Sequence, residues 1–186
     1  MKKIAIFASG SGSNAENIAL YFAGRKNLNI ECIYSNKKDA YVLERAKKLG
    51  IPTYVFSRED FYESTRVIDH LRALNVDVIV LAGFLWLIPQ NLIGSYPVIN
   101  IHPALLPKYG GKGMYGDKVH QAVVANKEKE SGITIHYVNE KYDEGQIIFQ
   151  AKCTVEPTDT PDEVAHKVHQ LEYEHFPRVI EKLLLG

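Results

Sequence analysis

Two residues able to do chemistry stand two apart at the end of an apolar run: Asn100 and His102 in Val98-Ile99-Asn100-Ile101-His102-Pro103. The β-branched residues predict a buried strand, and Pro103 and Pro107 end its ladder because proline has no N–H to donate. Side chains on a strand alternate with period two. Asn100 and His102 therefore share a face, about 6–7 Å apart. An amide can donate to a developing oxyanion, and an imidazole can move a proton near neutral pH. A core histidine satisfied by a carbonyl, beside a turn-forming asparagine, is the plainer alternative for this pair alone.

A second candidate lies at the amino end. Lys3 to Ala8 is a near-continuous apolar run, followed by Gly10-Ser11-Gly12-Ser13-Asn14 and then by a helical pattern to Phe22. Strand, Gly/Ser loop and helix form the arrangement in which backbone N–H groups face an anion. The loop is neither G-x-G-x-x-G, since Ala15 occupies the third glycine position, nor a Walker A loop. A single phosphate group fits it better than a dinucleotide, and an ordinary capped turn is the alternative. A third candidate, Ala82-Gly83-Phe84-Leu85-Trp86-Leu87-Ile88-Pro89, is too apolar for an exposed loop. It is either core or the wall of a pocket for a flat ligand.

The elements that must position these groups read in order. Strands are expected over 3–8, 28–34, 53–56, 77–81, 98–102, 131–138 and 146–155. Helices are expected over 15–22, 40–49, 57–74, 90–95, 117–126 and from Thr160 to about Leu185. Ser57 with Asp60 and Thr160 with Glu163 read as capping boxes. Pro177 predicts a kink or break in the last helix. Strands alternating with helices mean βαβ units and a mostly parallel sheet. The short connection between the last two strands favours an antiparallel edge. Lys108 to Gly116, with four glycines in nine residues, is a candidate lid.

The totals bound the class. The chain has 186 residues, which suits one domain. Lys+Arg and Asp+Glu are both 22, so no basic excess points to nucleic acid or a membrane surface. Cys32 and Cys153, with no C-x-x-C spacing and no signal segment, suit buried thiols in a reducing cytoplasm.

Taken together, the Gly/Ser loop, Ser35-Asn36-Lys37, Leu81-Ala82-Gly83-Phe84, Asn100-Ile101-His102-Pro103, Leu105 to Tyr109 and Asp143 resemble, in order, the glycinamide ribonucleotide formyltransferases, folate-dependent enzymes of purine synthesis. The resemblance covers essentially the whole chain. It implies an α/β, Rossmann-like sheet in a single catalytic domain, with a phosphate-binding half over 1–100 and a folate and catalytic half over 101–186. It implies Asn100, His102 and Asp143 as the catalytic centre, with Asp143 keeping His102 protonated. It assigns Gly10, Ser11, Gly12, Ser13 and Asn14 to the substrate phosphate and Glu172 to the glycinamide part. Leu85, Trp86, Leu87, Ile88 and Asn100 are assigned to the folate. The co-substrate implied is 10-formyltetrahydrofolate, with no metal, no nucleic acid and no membrane partner, in a cytoplasmic monomer or homodimer. Formyl-folate hydrolases and other N-formyltransferases share the Asn/His/Asp set, and a non-enzymatic nucleotide-binding module would leave it unexplained. Two positions depart from the family pattern. An Arg common near Ser64 is missing, with Arg66 or another cation left to replace it, and Trp86 stands where an Arg is common. The lid reads Gly110-Gly111 after Lys108-Tyr109 in place of the usual Pro-Gly.

Overall fold

The computed structural model describes all 186 residues. Seven strands form one sheet in the order β3-β2-β1-β4-β5-β6-β7. These are β1 (Lys2–Phe7), β2 (Leu28–Ser35), β3 (Thr53–Val55), β4 (Val78–Leu81), β5 (Val98–His102), β6 (Glu130–Tyr137) and β7 (Ile147–Thr154). The first five run parallel, whereas β6 and β7 are antiparallel to their neighbours. The strand order reverses between β1 and β4, which opens a crevice at their carboxyl ends.

The unbroken apolar runs of β1 and β4 follow from burial on both faces. Ile4, Ile6, Val78 and Val80 face a core shared with α1 (Ser13–Phe22), α2 (Tyr41–Lys48), α6 (Asp117–Ala125) and α7 (Pro161–Leu185). Ala5, Phe7, Ile79 and Leu81 face a more aromatic core against α3 (Arg58–Tyr62), α4 (Arg66–Ala73) and α5 (Gln90–Ile93). Phe7, Phe56, Phe61 and Phe84 meet there at ring separations of 5.4–6.3 Å between Phe7 and the other three. No helix is long and apolar enough to cross a membrane.

Both capping boxes form: Ser57 and Thr160 accept from the N–H groups of Asp60 and Glu163, whose carboxylates return to the cap N–H groups. Two local expectations fail. The helix expected over 57–74 is two helices, broken at Glu63–Thr65. There Ser64 Oγ donates to the Asp60 carbonyl and accepts from the Arg66 N–H, so the side chain competes with the backbone ladder. Conversely, α7 runs unbroken through Pro177. Proline leaves the carbonyl four residues back without its helical donor. That carbonyl, on Tyr173, accepts instead from Asn17 Nδ2 of α1 at 2.9 Å.

Candidate active site

A cavity of about 630 Å³ opens at the carboxyl ends of β1, β4 and β5, the crevice predicted by the strand order. It is lined by residues 10–14, 85–88, Asn100, His102, Asp143 and Glu172, the set that the resemblance assigned to substrate, folate and catalysis. Ser9, absent from that set, holds three of the loops together. Its hydroxyl donates to Asn36 Oδ1 at 2.7 Å and accepts from the Leu85 N–H at 3.1 Å, and its N–H donates to the Gly83 carbonyl.

At the centre, Asn100 and His102 do share one face of β5. Asn100 Nδ2 donates to His136 Nε2 at 3.1 Å, and His136 Nδ1 donates to the Tyr137 carbonyl at 2.9 Å. These two bonds fix the His136 tautomer and leave one Asn100 N–H for the cavity. His136 was not singled out from sequence. The signal for it exists, because Asn100 and His136 are register partners on β5 and β6.

Asp143 adopts a left-handed backbone, φ 56°, a conformation aspartate tolerates better than most residues. Its Oδ2 lies 3.5 Å from His102 Nδ1 and accepts from the Gly111 N–H at 3.0 Å. Its Oδ1 lies 3.6 Å from His136 Nε2. Burial favours a neutral carboxyl, but the Gly111 N–H, together with the two imidazoles, which attract the carboxylate once a proton sits on the nitrogen facing it, outweighs burial and holds the Asp143 carboxyl below its usual range.

His102 is 4% exposed, and burial lowers its pKa below the ordinary imidazole value. Asp143 and the Tyr109 carbonyl oppose that shift without cancelling it. The expectation that Asp143 keeps His102 protonated is therefore corrected. In the free protein the desolvation of a buried cation prevails and the ring is neutral at pH 7. Its Nε2 donates to the Tyr109 carbonyl at 2.7 Å. Tyr109 itself has φ 57°, and its hydroxyl is anchored on Glu128 at 2.8 Å.

At the Gly/Ser-loop end, Gly12 is the N-cap of α1 with φ 75°. A Cβ there would come within 2.3 Å of Val42, so the glycine serves packing against α2 as well as the loop. Asn14 does not cap the helix. Its Nδ2 donates to Glu172 Oε2 at 2.9 Å, and the same oxygen accepts from His169 Nδ1 at 2.8 Å. Arg66 pairs with Asp60 and lies outside the cavity, whereas the exposed Lys37 lines it beside the loop. Arg45 is bound to Glu16 and to the Ser11 carbonyl behind the loop.

The apolar segment divides. Phe84 and Ile88 are buried in the aromatic core, and Leu85 to Ile88 all border the cavity. Trp86 packs on Phe56, Phe61 and Tyr62, and Tyr62 Oη donates to the Leu87 carbonyl. The Leu87 N–H and the Leu85 carbonyl make no backbone hydrogen bond, in a segment that borders the cavity.

The formyl transferase family model matches residues 2–180. The chain belongs to the formyl transferase family. It is 42% identical to the chloroplastic phosphoribosylglycinamide formyltransferase of Arabidopsis thaliana over 96% of this chain, spanning 64% of the plant protein's length. It is 39% identical to the phosphoribosylglycinamide formyltransferase of Haemophilus influenzae over 97% of this chain and 86% of that one. The crystal structure of the enzyme of that name from Anaplasma phagocytophilum matches with a TM-score of 0.90 at 31% identity, covering all of this chain and 87% of the other. The seven-stranded mixed sheet of this formyl transferase is thus the family fold.

Proposed function

We propose that this formyl transferase moves the formyl group of 10-formyltetrahydrofolate to the amine of glycinamide ribonucleotide. The observation that carries the reading is the convergence of Asn100, His102 and Asp143 in one cavity with the Gly/Ser loop and the apolar segment. The names of the relatives point to the same acceptor and to formyl transfer.

The phosphate rests on the N–H groups at the start of α1, which have no intrahelical partners, with Lys37 as the nearby cation. Residues 1–100 supply this end, and residues 101–186 supply His102, Asp143 and Glu172. The folate ring packs along Leu85–Ile88 and pairs with the Leu87 N–H and Leu85 carbonyl. The free amine attacks the formyl carbon, a C–N bond forms, and the carbonyl becomes an oxyanion. The free N–H of Asn100 donates to it. Neutral His102 takes the proton shed by the amine, and the ionised Asp143 stabilises the imidazolium. His102 then returns the proton to the folate nitrogen as its C–N bond breaks. Because Nε2–H is bonded to the Tyr109 carbonyl, Nε2 can take this proton only when that carbonyl lets go and the ring adopts the other tautomer, with its N–H on Nδ1 facing Asp143, which gives the 108–116 loop a role in the cycle.

The test is a product assay with 10-formyltetrahydrofolate and glycinamide ribonucleotide. Formylglycinamide ribonucleotide formed one-to-one with tetrahydrofolate supports the reading. Formate released at the same rate without the amine would make the protein a hydrolase instead.

A further inference from the structure

His120, on α6, takes no part in the chemistry above, yet it borders the same cavity and is only 2% exposed. Its Nδ1 is buried with no hydrogen-bond partner. Unpartnered buried polar atoms are rare and call for an explanation. A second one lies in the same cluster. Asn14 Oδ1 is buried and unpartnered, while the Nδ2 of that amide is committed to Glu172. Because Nδ2 donates, Oδ1 can only accept. The ring of His169, which itself bonds Glu172, stands 6.3 Å from the ring of His120. The cavity wall thus carries an unpartnered imidazole nitrogen on α6 and an unpartnered amide oxygen at the start of α1.

A ligand that satisfies the Asn14 oxygen must bring an N–H or O–H donor, and His120 in the tautomer with its proton on Nε2 asks for a second one at Nδ1. We infer that His120 is the acceptor that holds the attacking amine of the substrate, with Asn14 Oδ1 taking a neighbouring donor of the same molecule. This rests on the formyl-transfer reading and names the group that orients its nucleophile. A neutral imidazole nitrogen accepts one N–H of the free amine and leaves the amine's lone pair for the formyl carbon. A protonated ring could not accept, and a protonated amine could not attack.

The surroundings favour the neutral ring. Burial lowers the His120 pKa, His169 and His102 lower it further, and Glu172 on α7 and Asp117 on α6 oppose them. His102 belongs to β5, so the charged or titratable groups that act on His120 come from three elements.

Steady-state kinetics on His120→Phe and His120→Gln test this, with pH profiles and melting temperatures for each. Phe keeps the ring's bulk without an acceptor, and Gln restores one. For His120→Phe we expect KM for the ribotide to rise, and kcat over that KM to fall, about ten- to hundredfold, as when a buried donor loses its acceptor. KM for the folate should stay within about twofold, and Gln should recover part of the loss. The acid limb of kcat/KM for the ribotide should lose one ionisation in the Phe variant. Unchanged ribotide kinetics and an unchanged acid limb would overturn the inference. So would equal losses for both substrates with a lowered melting temperature in both variants, which would make His120 a packing residue. Wild-type formyl transfer is scored separately, so either failure leaves the overall reaction intact.

Discussion

Gly10 and Gly12 stand two apart in the Gly/Ser loop proposed to hold the phosphate, and their surroundings differ. A Cβ on Gly12 would meet Val42 side-chain and backbone atoms at 2.3–2.7 Å, and its φ of 75° disfavours any L side chain. The left-handed backbone costs about 1–2 kcal/mol for a non-glycine residue. Forcing a methyl into packed α2 adds about 1–3 kcal/mol. Gly12→Ala should therefore destabilise by about 2–5 kcal/mol. For a chain of this size that corresponds to a drop in Tm of about 4–20 °C. A Cβ on Gly10 meets nothing within 4 Å, yet Gly10 borders the cavity. Gly10→Ala should leave Tm within about 2 °C, as surface changes usually do. Its methyl intrudes on the phosphate, so KM for the ribotide should rise about tenfold while KM for the folate holds. Calorimetry and two-substrate kinetics on both variants read this out. If Gly10→Ala leaves the ribotide KM unchanged, or raises both KM values together, the loop is not the phosphate cradle. A Gly12→Ala protein as stable as wild type would refute the packing argument.

Other consequences are independent of the loop. Asp143→Asn removes the charge that stabilises the His102 imidazolium, so kcat should fall by about 10²-fold or more, with Tm little changed; single-turnover rates decide it, and a wild-type rate would exclude Asp143 from the proton path. A saturating folate analogue should protect the Leu87 amide from hydrogen exchange, because that N–H is free of backbone partners; no protection would leave Leu85–Ile88 as core alone. His102 and His120 have pKa values lowered by burial, so the unfolded chain binds more protons than the folded one below its ordinary imidazole value of 6.5. Stability should therefore fall with acid below about pH 6.5 and level off above it, and a Tm-versus-pH series in which His120→Phe fails to flatten that slope would contradict the burial argument.

Much of the site was legible because its chemistry sits on short-range patterns. The period of β5 places Asn100 beside His102, and the burial of β1 on both faces announces the loop that follows it. The capping boxes at Ser57 and Thr160 are likewise local. What escaped is set by partners distant in sequence. His136 matters through its register with Asn100, and Asn14 finds Glu172, which is 158 residues away. The charge state of His102 was misjudged because the sequence displays the neighbouring carboxylate and not the depth of burial. Pro177 looked like a break because the donor that serves Tyr173, on Asn17, lies in another helix. The break at Ser64 was lost beneath a strong apolar face that continues on either side of it.

The central claim is that Asn100 and His102 act on one transition state. The most direct measurement is kcat for formyl transfer by Asn100→Ala, His102→Ala and the double variant, with Tm recorded for each. Loss of a single oxyanion donor should cost about 10²–10³-fold. The double variant should lose far less than the product of the two single losses, since groups acting as a unit are non-additive, and the folded state should persist in all three. A His102→Ala or Asn100→Ala enzyme with near-wild-type kcat, or losses that simply multiply, would contradict the account.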